Sequence, residues 1–188
     1  MRHSSENGFS LVEVVFATGI LSTALLSMAG VFVVGLQHLR SSTPGLIARE
    51  KAREAVESVH TARDMRIITW DQIRNEADGG VFKAGALPVY TPGADGLVNT
   101  DDDGDGVGAQ SAADLETHPN VGPDQILGTP DDVWTPLTDF TRQIAIIDLF
   151  DENNVLNQNL RQITVTIGYK VGNAWRAYTL TTYVSSYS

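Results

Sequence analysis

The longest uninterrupted apolar stretch of the chain lies near its amino terminus. From Val14 to Leu36 there are 23 residues without a charge. A helix of that length spans about 35 Å at ~1.5 Å per residue, which exceeds the ~30 Å hydrocarbon core of a bilayer. A soluble helix of this length carries a polar stripe on one side, and this segment has none. The pattern predicts a membrane helix over residues 9–36.

A second helical pattern follows the apolar stretch. Small apolar side chains recur at helical spacing, with charged residues on the other face: Ala48, Ala52, Ala55, Val56, Val59 and Ala62. We expect the amphipathic half of a long helix over residues 37–70, able to pack on a small sheet. Because proline lacks an amide proton and clashes with the preceding turn, Pro44 is expected to kink or interrupt the helix.

The pattern changes to strands in the last part of the chain, residues 141–188. Residues 161–169 (RQITVTIGY) alternate polar and apolar positions, as a half-buried strand does. Residues 143–150 and 175–185 predict two more strands, and residues 81–89 predict an edge strand. The expected fold class is α+β, with a long amino-terminal helix packed on a small antiparallel sheet of three to four strands.

Composition narrows the classes of function. The net charge of −10 argues against nucleic acid as a partner, because phosphate binding needs a basic surface. The chain has no cysteine, which excludes disulfides, thiolate metal sites and a cysteine nucleophile. Its four histidines are scattered, and the sequence contains no recognisable catalytic or phosphate-binding motif. We therefore expect no enzymatic activity and no organic cofactor.

Residues 71–140 form an acidic region rich in glycine, proline and aspartate, and this region contains an internal repeat. Residues 93–103 (GADGLVNTDDD) realign on residues 122–132 (GPDQILGTPDD) after a shift of 29 positions. Glycine, aspartate, threonine and two consecutive aspartates coincide, and an aliphatic pair matches an aliphatic pair. The repeat predicts two copies of one ion-binding turn.

The aspartates of this region make calcium a candidate ligand. Carboxylate and amide oxygens suit a hard cation, and closely spaced acids repel one another unless a cation compensates. The run from residue 101 to 106 also matches the D-x-D-x-D-G opening of an EF-hand loop, although Ala112 stands where that loop has glutamate. The alternative is a solvated acidic loop without metal. We expect one or two calcium ions, with candidate ligands Asp95, Asn99, Asp101, Asp103, Asp105, Asp124, Asp131 and Asp132.

One carboxylate stands inside the apolar amino-terminal stretch. Glu13 lies five residues after Gly8, and no lysine or arginine lies within two helical turns of it. A carboxylate in a membrane helix costs ~2.5–3.5 kcal/mol on insertion scales, so such a residue is expected to have a functional partner. The eight residues before the stretch (MRHSSENG) include Arg2, which favours a cytoplasmic amino terminus.

The run Gly8-Phe9-Ser10-Leu11-Val12-Glu13, between a short charged leader and a long apolar helix, resembles the class III leader of type IV prepilins and type II secretion pseudopilins. The resemblance implies a pilin-like lollipop fold, with residues 1–8 as leader and residues 9–36 as transmembrane and assembly helix. It also implies that a prepilin peptidase cleaves between Gly8 and Phe9 and methylates the amine of Phe9. The new ammonium could then pair with Glu13 of a neighbouring subunit and set the axial register of an assembly.

The function implied by the resemblance is that of a structural subunit, a minor pilin of a type IV pilus-like filament. Its partners would be homologous pilin or pseudopilin subunits, the prepilin peptidase, an inner-membrane assembly platform and, before assembly, the lipid bilayer. The protein would be a single-pass inner-membrane protein with its carboxyl-terminal domain outside the cytoplasm, and then part of a pilus or a periplasmic pseudopilus. Some family members use a calcium loop where others use a disulfide. Two alternatives stay open: a type II secretion pseudopilin, and a membrane-anchored calcium-binding envelope protein that does not assemble.

Overall fold

The computed structural model describes residues 10–104 and 110–187, and for residues 37–42 the backbone alone. The chain divides into two compact units, Met1–Ser42 and Thr43–Ser188. The first unit contains the apolar part of the amino-terminal helix. The second contains the remainder of that helix and all the strands, and the core described below belongs to it.

Helix α1 runs from Leu11 to Asp64. Its first part, Leu11–Leu36, has a mean hydropathy of 2.1, and none of this stretch is buried within the protein. It is the one helix in the described residues that is long and apolar enough to cross a membrane, as its uncharged sequence predicts. The fold class is therefore α+β, with a long apolar amino-terminal helix followed by a small antiparallel sheet.

Of the two effects expected at Pro44, the interruption is wrong, because α1 continues through this residue to Asp64, and the kink stays a prediction. Proline removes one amide donor, and packing of the following turns on the sheet offsets that loss. The helix ends six residues earlier than predicted. Arg66 has a left-handed φ of +58°, its amide donates to the Arg63 carbonyl at 3.0 Å, and the Ile67 amide donates to the Ala62 carbonyl at 2.8 Å. These two bonds form a Schellman motif that closes the helix.

The predicted apolar face of the second helical segment is confirmed. Ala48, Ala52, Ala55, Val59 and Ala62 are buried, and Val56 is partly buried against the same core. The small side chains allow the helix backbone to approach the sheet closely. At Gly45, a Cβ atom would lie 3.5 Å from the hydroxyl of Tyr169.

The strands predicted from alternation are present, and the structure extends them. The main antiparallel sheet has the order β1-β4-β5-β6, where β1 is Leu87–Pro88, β4 is Phe140–Phe150, β5 is Leu156–Val171 and β6 is Ala174–Ser185. The predicted edge strand is thus reduced to two residues. A separate antiparallel hairpin pairs β2 (Thr117–Asn120) with β3 (Val133–Pro136).

The core lies between the sheet and the helix segment that begins at Thr43. Alternate residues of β4 and β5 point into it, including Ile144, Ile146, Ile163, Val165 and Ile167. The intervening side chains face outward, as strand geometry requires. The apolar residues that the alternation marked are buried, and two arginines, Arg142 of β4 and Arg161 of β5, are buried with them on the inward face.

The acidic region between helix and sheet also contributes to the core. Its described residues, with Trp70 just before them, form three short 3₁₀ helices (Trp70–Gln72, Glu76–Asp78 and Ala112–Asp114) and the β2–β3 hairpin. Phe82, Val89, Leu97 and Val98 are fully buried in the cluster formed by the helix and the sheet. Apolar residues scattered through the acidic region therefore pack it against the helix and the sheet.

Candidate functional site

The apolar helix exposes one carboxylate without a partner. Glu13 lies on the exposed surface of α1, and it forms no hydrogen bond or ion pair with any residue that the structure describes. Gly8 and Phe9, the residues expected to be cleaved and methylated, lie outside the described residues. Within a hydrocarbon environment, a carboxylate in this position needs a cationic partner, and the described residues do not supply one.

Unlike Glu13, hydroxyl groups of the same helix have hydrogen-bond partners within the helix. Thr18 donates to the Val15 carbonyl, and Thr23 donates to the Ile20 carbonyl, at 3.0 and 2.8 Å. Ser22 and Ser27 donate to carbonyls four residues earlier, at 2.7 and 2.8 Å. These bonds satisfy the hydroxyl donors within the helix, so they need no partner in lipid. Serine and threonine side chains are also small, which permits close helix packing along this stretch.

The first copy of the internal repeat is a turn closed by its own aspartates. We call residues 93–103 the inner turn. The Leu97 amide donates to Asp95 Oδ1 at 2.8 Å, and the Asn99 amide donates to Asp103 Oδ2 at 2.7 Å. The Thr100 hydroxyl donates to Asp102 Oδ1 at 2.9 Å. Carboxylates at these positions therefore satisfy donors that the chain cannot satisfy by regular secondary structure.

The second copy, residues 122–132, has the same hydrogen bonds, and we call it the outer turn. The Ile126 amide donates to Asp124 Oδ1 at 2.9 Å, and the Gly128 amide donates to Asp132 Oδ2 at 2.6 Å. The Thr129 hydroxyl donates to Asp131 Oδ1 at 2.6 Å. Each bond lies 29 residues after its counterpart. The repeat is thus confirmed as a repeated turn, and ion binding by the two turns stays a prediction.

Backbone geometry agrees between the two turns as well. A φ near +60° to +90° occurs at Gly96 and Asn99 in the inner turn and at the equivalent Gln125 and Gly128 in the outer turn. The first glycine of each turn presses against an aspartate side chain. A Cβ at Gly93 would lie 2.2 Å from Asp102 Cγ, and one at Gly122 would lie 2.0 Å from Asp131 Oδ2. Only glycine fits at the first position of the repeat.

The two turns differ in the environment of their aliphatic pair. Leu97 and Val98 of the inner turn are fully buried in the core. The equivalent Ile126 and Leu127 of the outer turn are 60% and 58% exposed. The same local structure therefore serves as part of the core in one copy and as a projecting surface in the other.

A buried arginine anchors the inner turn to the sheet. The Arg142 side chain of β4 is fully buried; its Nε donates to Asn99 Oδ1 at 2.8 Å and its Nη1 to Glu116 Oε1 at 3.0 Å. Its Nη2 donates to the Tyr90 carbonyl at 3.0 Å and lies 3.8 Å from Asp103 Oδ2. Sequence reasoning missed this role of Arg142. The available signal is that it is the one arginine or lysine between residues 84 and 152, a segment crowded with acids.

The helix joins this network through Lys51, which forms ion pairs with Glu116 and, at 2.7 Å, with Glu54. Burial alone would lower the pKa of Lys51, but its hydrogen bonds to Glu116 and Glu54 outweigh burial and raise the pKa above its ordinary value. The network therefore connects the helix, the inner turn and the sheet by charged hydrogen bonds that the surrounding residues shield from water.

The aspartates of the inner turn have opposite pKa shifts. Burial raises the pKa of Asp103, although hydrogen bonds from Asn99 and the charge of Arg142 act in the other direction. Burial also opposes ionisation of Asp102, but the hydrogen bonds from Thr100 and the backbone outweigh it, so the pKa of Asp102 is lowered. In the outer turn, the hydrogen bond from Thr129 lowers the pKa of the equivalent Asp131. The second-to-last aspartate is thus held ionised in both copies.

Most residues expected to bind calcium already have partners within the protein. Asp95, Asp103, Asp124, Asp131 and Asp132 each accept hydrogen bonds within their own turn. Asn99 pairs with Arg142, and Asp101 forms an ion pair with Lys83 at 3.1 Å. No group of three or more His, Cys, Asp or Glu in the described part of the chain is placed to hold a metal ion. Asp105 lies outside the described residues. The described ligand candidates do not by themselves form a calcium cage, and calcium binding stays a prediction.

Comparison with known proteins returned no relative: no family model, no curated protein and no solved structure matches this chain. A functional assignment for this protein therefore depends on the residues and geometry of the chain itself.

Proposed function

We propose that this protein is a structural subunit, a minor pilin, of a type IV pilus-like filament. In this proposal a prepilin peptidase removes residues 1–8 and methylates Phe9, and the subunits assemble through their apolar helices. The apolar helix Leu11–Leu36 and the α+β domain that follows it support the proposal. So does the run from Gly8 to Glu13, which resembles the leader of prepilins and pseudopilins.

The observation that carries the proposal is the unpartnered carboxylate of Glu13 in an otherwise apolar helix. The hydroxyls of Thr18, Ser22, Thr23 and Ser27 are satisfied within the helix, whereas Glu13 has no described partner. Cleavage after Gly8 creates an ammonium at Phe9, the charge that a carboxylate at this depth lacks. Pairing between the Phe9 ammonium of one subunit and Glu13 of the next places two neighbouring helices in one axial register.

The proposal also assigns a location and an order of events. The precursor spans the inner membrane once, with its amino terminus in the cytoplasm and the domain that follows the apolar helix outside it. Arg2 in the short leader supports this orientation. The lipid bilayer holds the helix before assembly, and an inner-membrane assembly platform then transfers the processed subunit to homologous subunits. The apolar helix surface, which is unburied within the chain, would be covered by lipid first and by neighbouring helices afterwards.

Glu13→Gln tests the proposal, because it removes the charge and preserves the length of the side chain. The variant should insert into membranes normally and lose assembly. Breaking a buried ion pair costs ~3–5 kcal/mol, which is more than about a hundredfold in an association equilibrium. Glu57→Gln is the matched control, since Glu57 is an exposed carboxylate on the same helix outside the apolar part. Normal incorporation of Glu13→Gln into filaments would refute the charge-pairing mechanism.

Mass spectrometry of the mature amino terminus tests processing and location together. Membranes and sheared extracellular material of the native cell are compared. A methylated Phe9 terminus in sheared material supports a pilus subunit. The same terminus confined to membranes favours a pseudopilin or a rare minor pilin that initiates the fibre. An intact Met1 in both fractions would overturn the family assignment and leave an anchored acidic domain.

A further inference from the structure

The outer turn presents an apolar surface that nothing in the described chain covers. Ile126 and Leu127 are 60% and 58% exposed, and Val133 and Trp134 of the adjoining strand β3 are 61% and 58% exposed. The inner turn shows what this local structure does when it has a partner, because its equivalent aliphatic pair is fully buried. Exposed apolar side chains in a turn and in the strand that follows it are typical of a docking surface.

The same turn carries unpaired negative charge. Asp124, Asp131 and Asp132 form no ion pair with any residue that the structure describes. Residues 84–141 contain no lysine or arginine at all. Hydrogen bonding to Thr129 lowers the pKa of Asp131, so that carboxylate is ionised at neutral pH. A partner for this surface must therefore be both apolar and basic.

A groove with these properties lies on the same chain, between the helix and the edge strand β6. It has a volume of about 440 Å³ and is lined by Leu46, Arg49, Glu50, Arg53, Tyr178 and Leu180. The Arg49 guanidinium lies over the Tyr178 ring, 5.7 Å from its centroid. Arg49 and Arg53 form no ion pair with any described residue, and Arg176, two residues before Tyr178 on the same strand, forms none either.

Charge around the groove is complementary to that of the outer turn. The last 36 residues of the chain contain no acid; of their three bases, Arg161 is buried and paired with Asp148, and Lys170 lies 4.0 Å from Asp139, so Arg176 on β6 is the one without an ion pair to a described residue. Glu50 offsets one of the two groove arginines, and Arg176 adds to the basic side. The groove floor is apolar, formed by Tyr178 and Leu180, which are partly buried against the core. It thus offers an apolar floor and a basic rim to an apolar turn with acidic sides.

We propose that the outer turn of one subunit docks into this groove on a second copy of the chain. Ile126 and Leu127 cover Tyr178 and Leu180, and the aspartates of the turn face Arg49 and Arg53. The contact joins two different surfaces, so each copy uses its turn on one neighbour and its groove on another, and repetition builds an open array. The inference rests on the proposed function, in which a filament places copies side by side.

Cysteine cross-linking tests the contact directly, because the chain has no native cysteine. The full-length protein carrying both Leu127→Cys and Leu46→Cys is assembled in its native membrane and oxidised. Both residues are exposed, and Leu46 lines the groove. A ladder of dimers, trimers and longer species on a non-reducing gel is expected. Each single variant should give dimers at most. Val155→Cys with Leu46→Cys is the matched control, since Val155 is 59% exposed, like Leu127, but lies outside the turn.

Charge and salt provide a second measurement. Arg53→Glu in the cross-linking variant should reduce the ladder at least about fivefold, whereas Arg53→Lys should retain it, because only the first reverses the attraction across the interface. Raising salt from about 0.1 M to about 1 M shortens the screening length from ~10 Å to ~3 Å and should weaken the ladder in the same way. A ladder insensitive to Arg53→Glu, or equal yields from the Leu127 and Val155 pairs, would overturn the docking mode.

A helix reporter separates failure of the docking from failure of the proposed function. Ser27→Cys, on the small-residue side of the apolar helix, reports contact between neighbouring helices. Helix cross-links without the Leu127–Leu46 ladder would refute docking and leave the filament proposal standing. The ladder without helix cross-links would support docking and contradict assembly through the helices. Absence of both would overturn both.

Discussion

Replacement of Arg142 by methionine is the sharpest test of how the acidic region is held. The substitution preserves most of the side-chain volume, so it creates little cavity, but it removes every charged hydrogen bond that the guanidinium makes. Three acceptors lose their donor at 2.8–3.0 Å: Asn99 Oδ1, Glu116 Oε1 and the Tyr90 carbonyl. Asp103, 3.8 Å away, loses its nearest cation.

The expected cost follows from burial. The Arg142 side chain is fully buried, and the side chains of Glu116 and Asp103 are 6% and 4% exposed. Water cannot readily replace the lost donors, so carboxylates remain partly uncompensated. Removing one partner of such a buried pair destabilises a protein by ~3–5 kcal/mol. Lys51 retains its ion pair with Glu116 and limits the loss, so we expect about 3 kcal/mol.

Urea unfolding of the full-length protein in detergent micelles measures this cost. The free energy of unfolding is extrapolated linearly from the transition, and tryptophan fluorescence follows it. Arg176→Met is the matched control, because Arg176 is exposed and forms no ion pair with described residues; its effect should stay within about 0.5 kcal/mol. The double variant Arg142→Met, Glu116→Met should cost less than the sum of the single variants, since it removes both members of the pair.

A loss below about 1 kcal/mol for Arg142→Met would refute the reasoning, because the magnitude depends on the carboxylates being desolvated. Strict additivity in the double variant would refute it independently. Either result would mean that the inner turn is held by its buried aliphatic pair alone.

Three further predictions concern the turns and the acid-sensitive contacts. Gly93→Ala should destabilise the protein by about 1–3 kcal/mol, because its Cβ would lie 2.2 Å from Asp102 in the inner turn, which packs in the core. Gly122→Ala in the exposed outer turn should lower the melting temperature much less than Gly93→Ala does. Equal losses of melting temperature in the two variants would contradict the difference in burial between the turns. Burial opposes ionisation of Asp148, but the hydrogen bond and charge of Arg161, with those of Arg74, outweigh burial and lower the pKa of Asp148. The ionised Asp148 therefore contributes to stability above about pH 4, and this contribution is lost as the pH falls through the lowered pKa. Asp148→Asn should therefore be less stable than the native protein near pH 7 and differ little from it near pH 2, as urea midpoints at the two pH values would show; an equal deficit at both would exclude the linkage. If the acidic region binds calcium, adding about 1 mM calcium should raise the melting temperature of the full chain, because a ligand that binds the folded state stabilises it. A chelator should then return the melting temperature to its starting value. An unchanged melting temperature would indicate a solvated acidic loop without metal.

Local pattern was sufficient for the long helix and the three long strands, whereas it did not predict the β2–β3 hairpin. Twenty-three uncharged residues in succession can satisfy their backbone in lipid only as a helix, and alternation over residues 161–169 can bury one face only as a strand. The repeat was equally readable, because its glycine, threonine and aspartates have the same spacing in both copies. Its hydrogen bonds are local, within four residues in most cases, and therefore follow from local sequence.

Interactions between distant residues were not readable in the same way. The alternation of β4 places Arg142 on the inward face, but its partners Asn99 and Glu116 lie 43 and 26 residues away, and no local pattern joins them. The path of the helix through Pro44 also depended on distant contacts, since packing on the sheet offsets one missing hydrogen bond.

The sequence by itself determined the apolar helix with its lone carboxylate, the alternating strands and the two equivalent turns. Only the tertiary structure decided which turn is buried. Leu97–Val98 and Ile126–Leu127 have the same local conformation, and their difference in exposure comes from where the chain carries each turn. The inner turn meets the core beside Arg142, and the outer turn stands at the end of a hairpin. Burial is a property of long-range packing, which short-range patterns of hydrophobic residues constrain but do not specify.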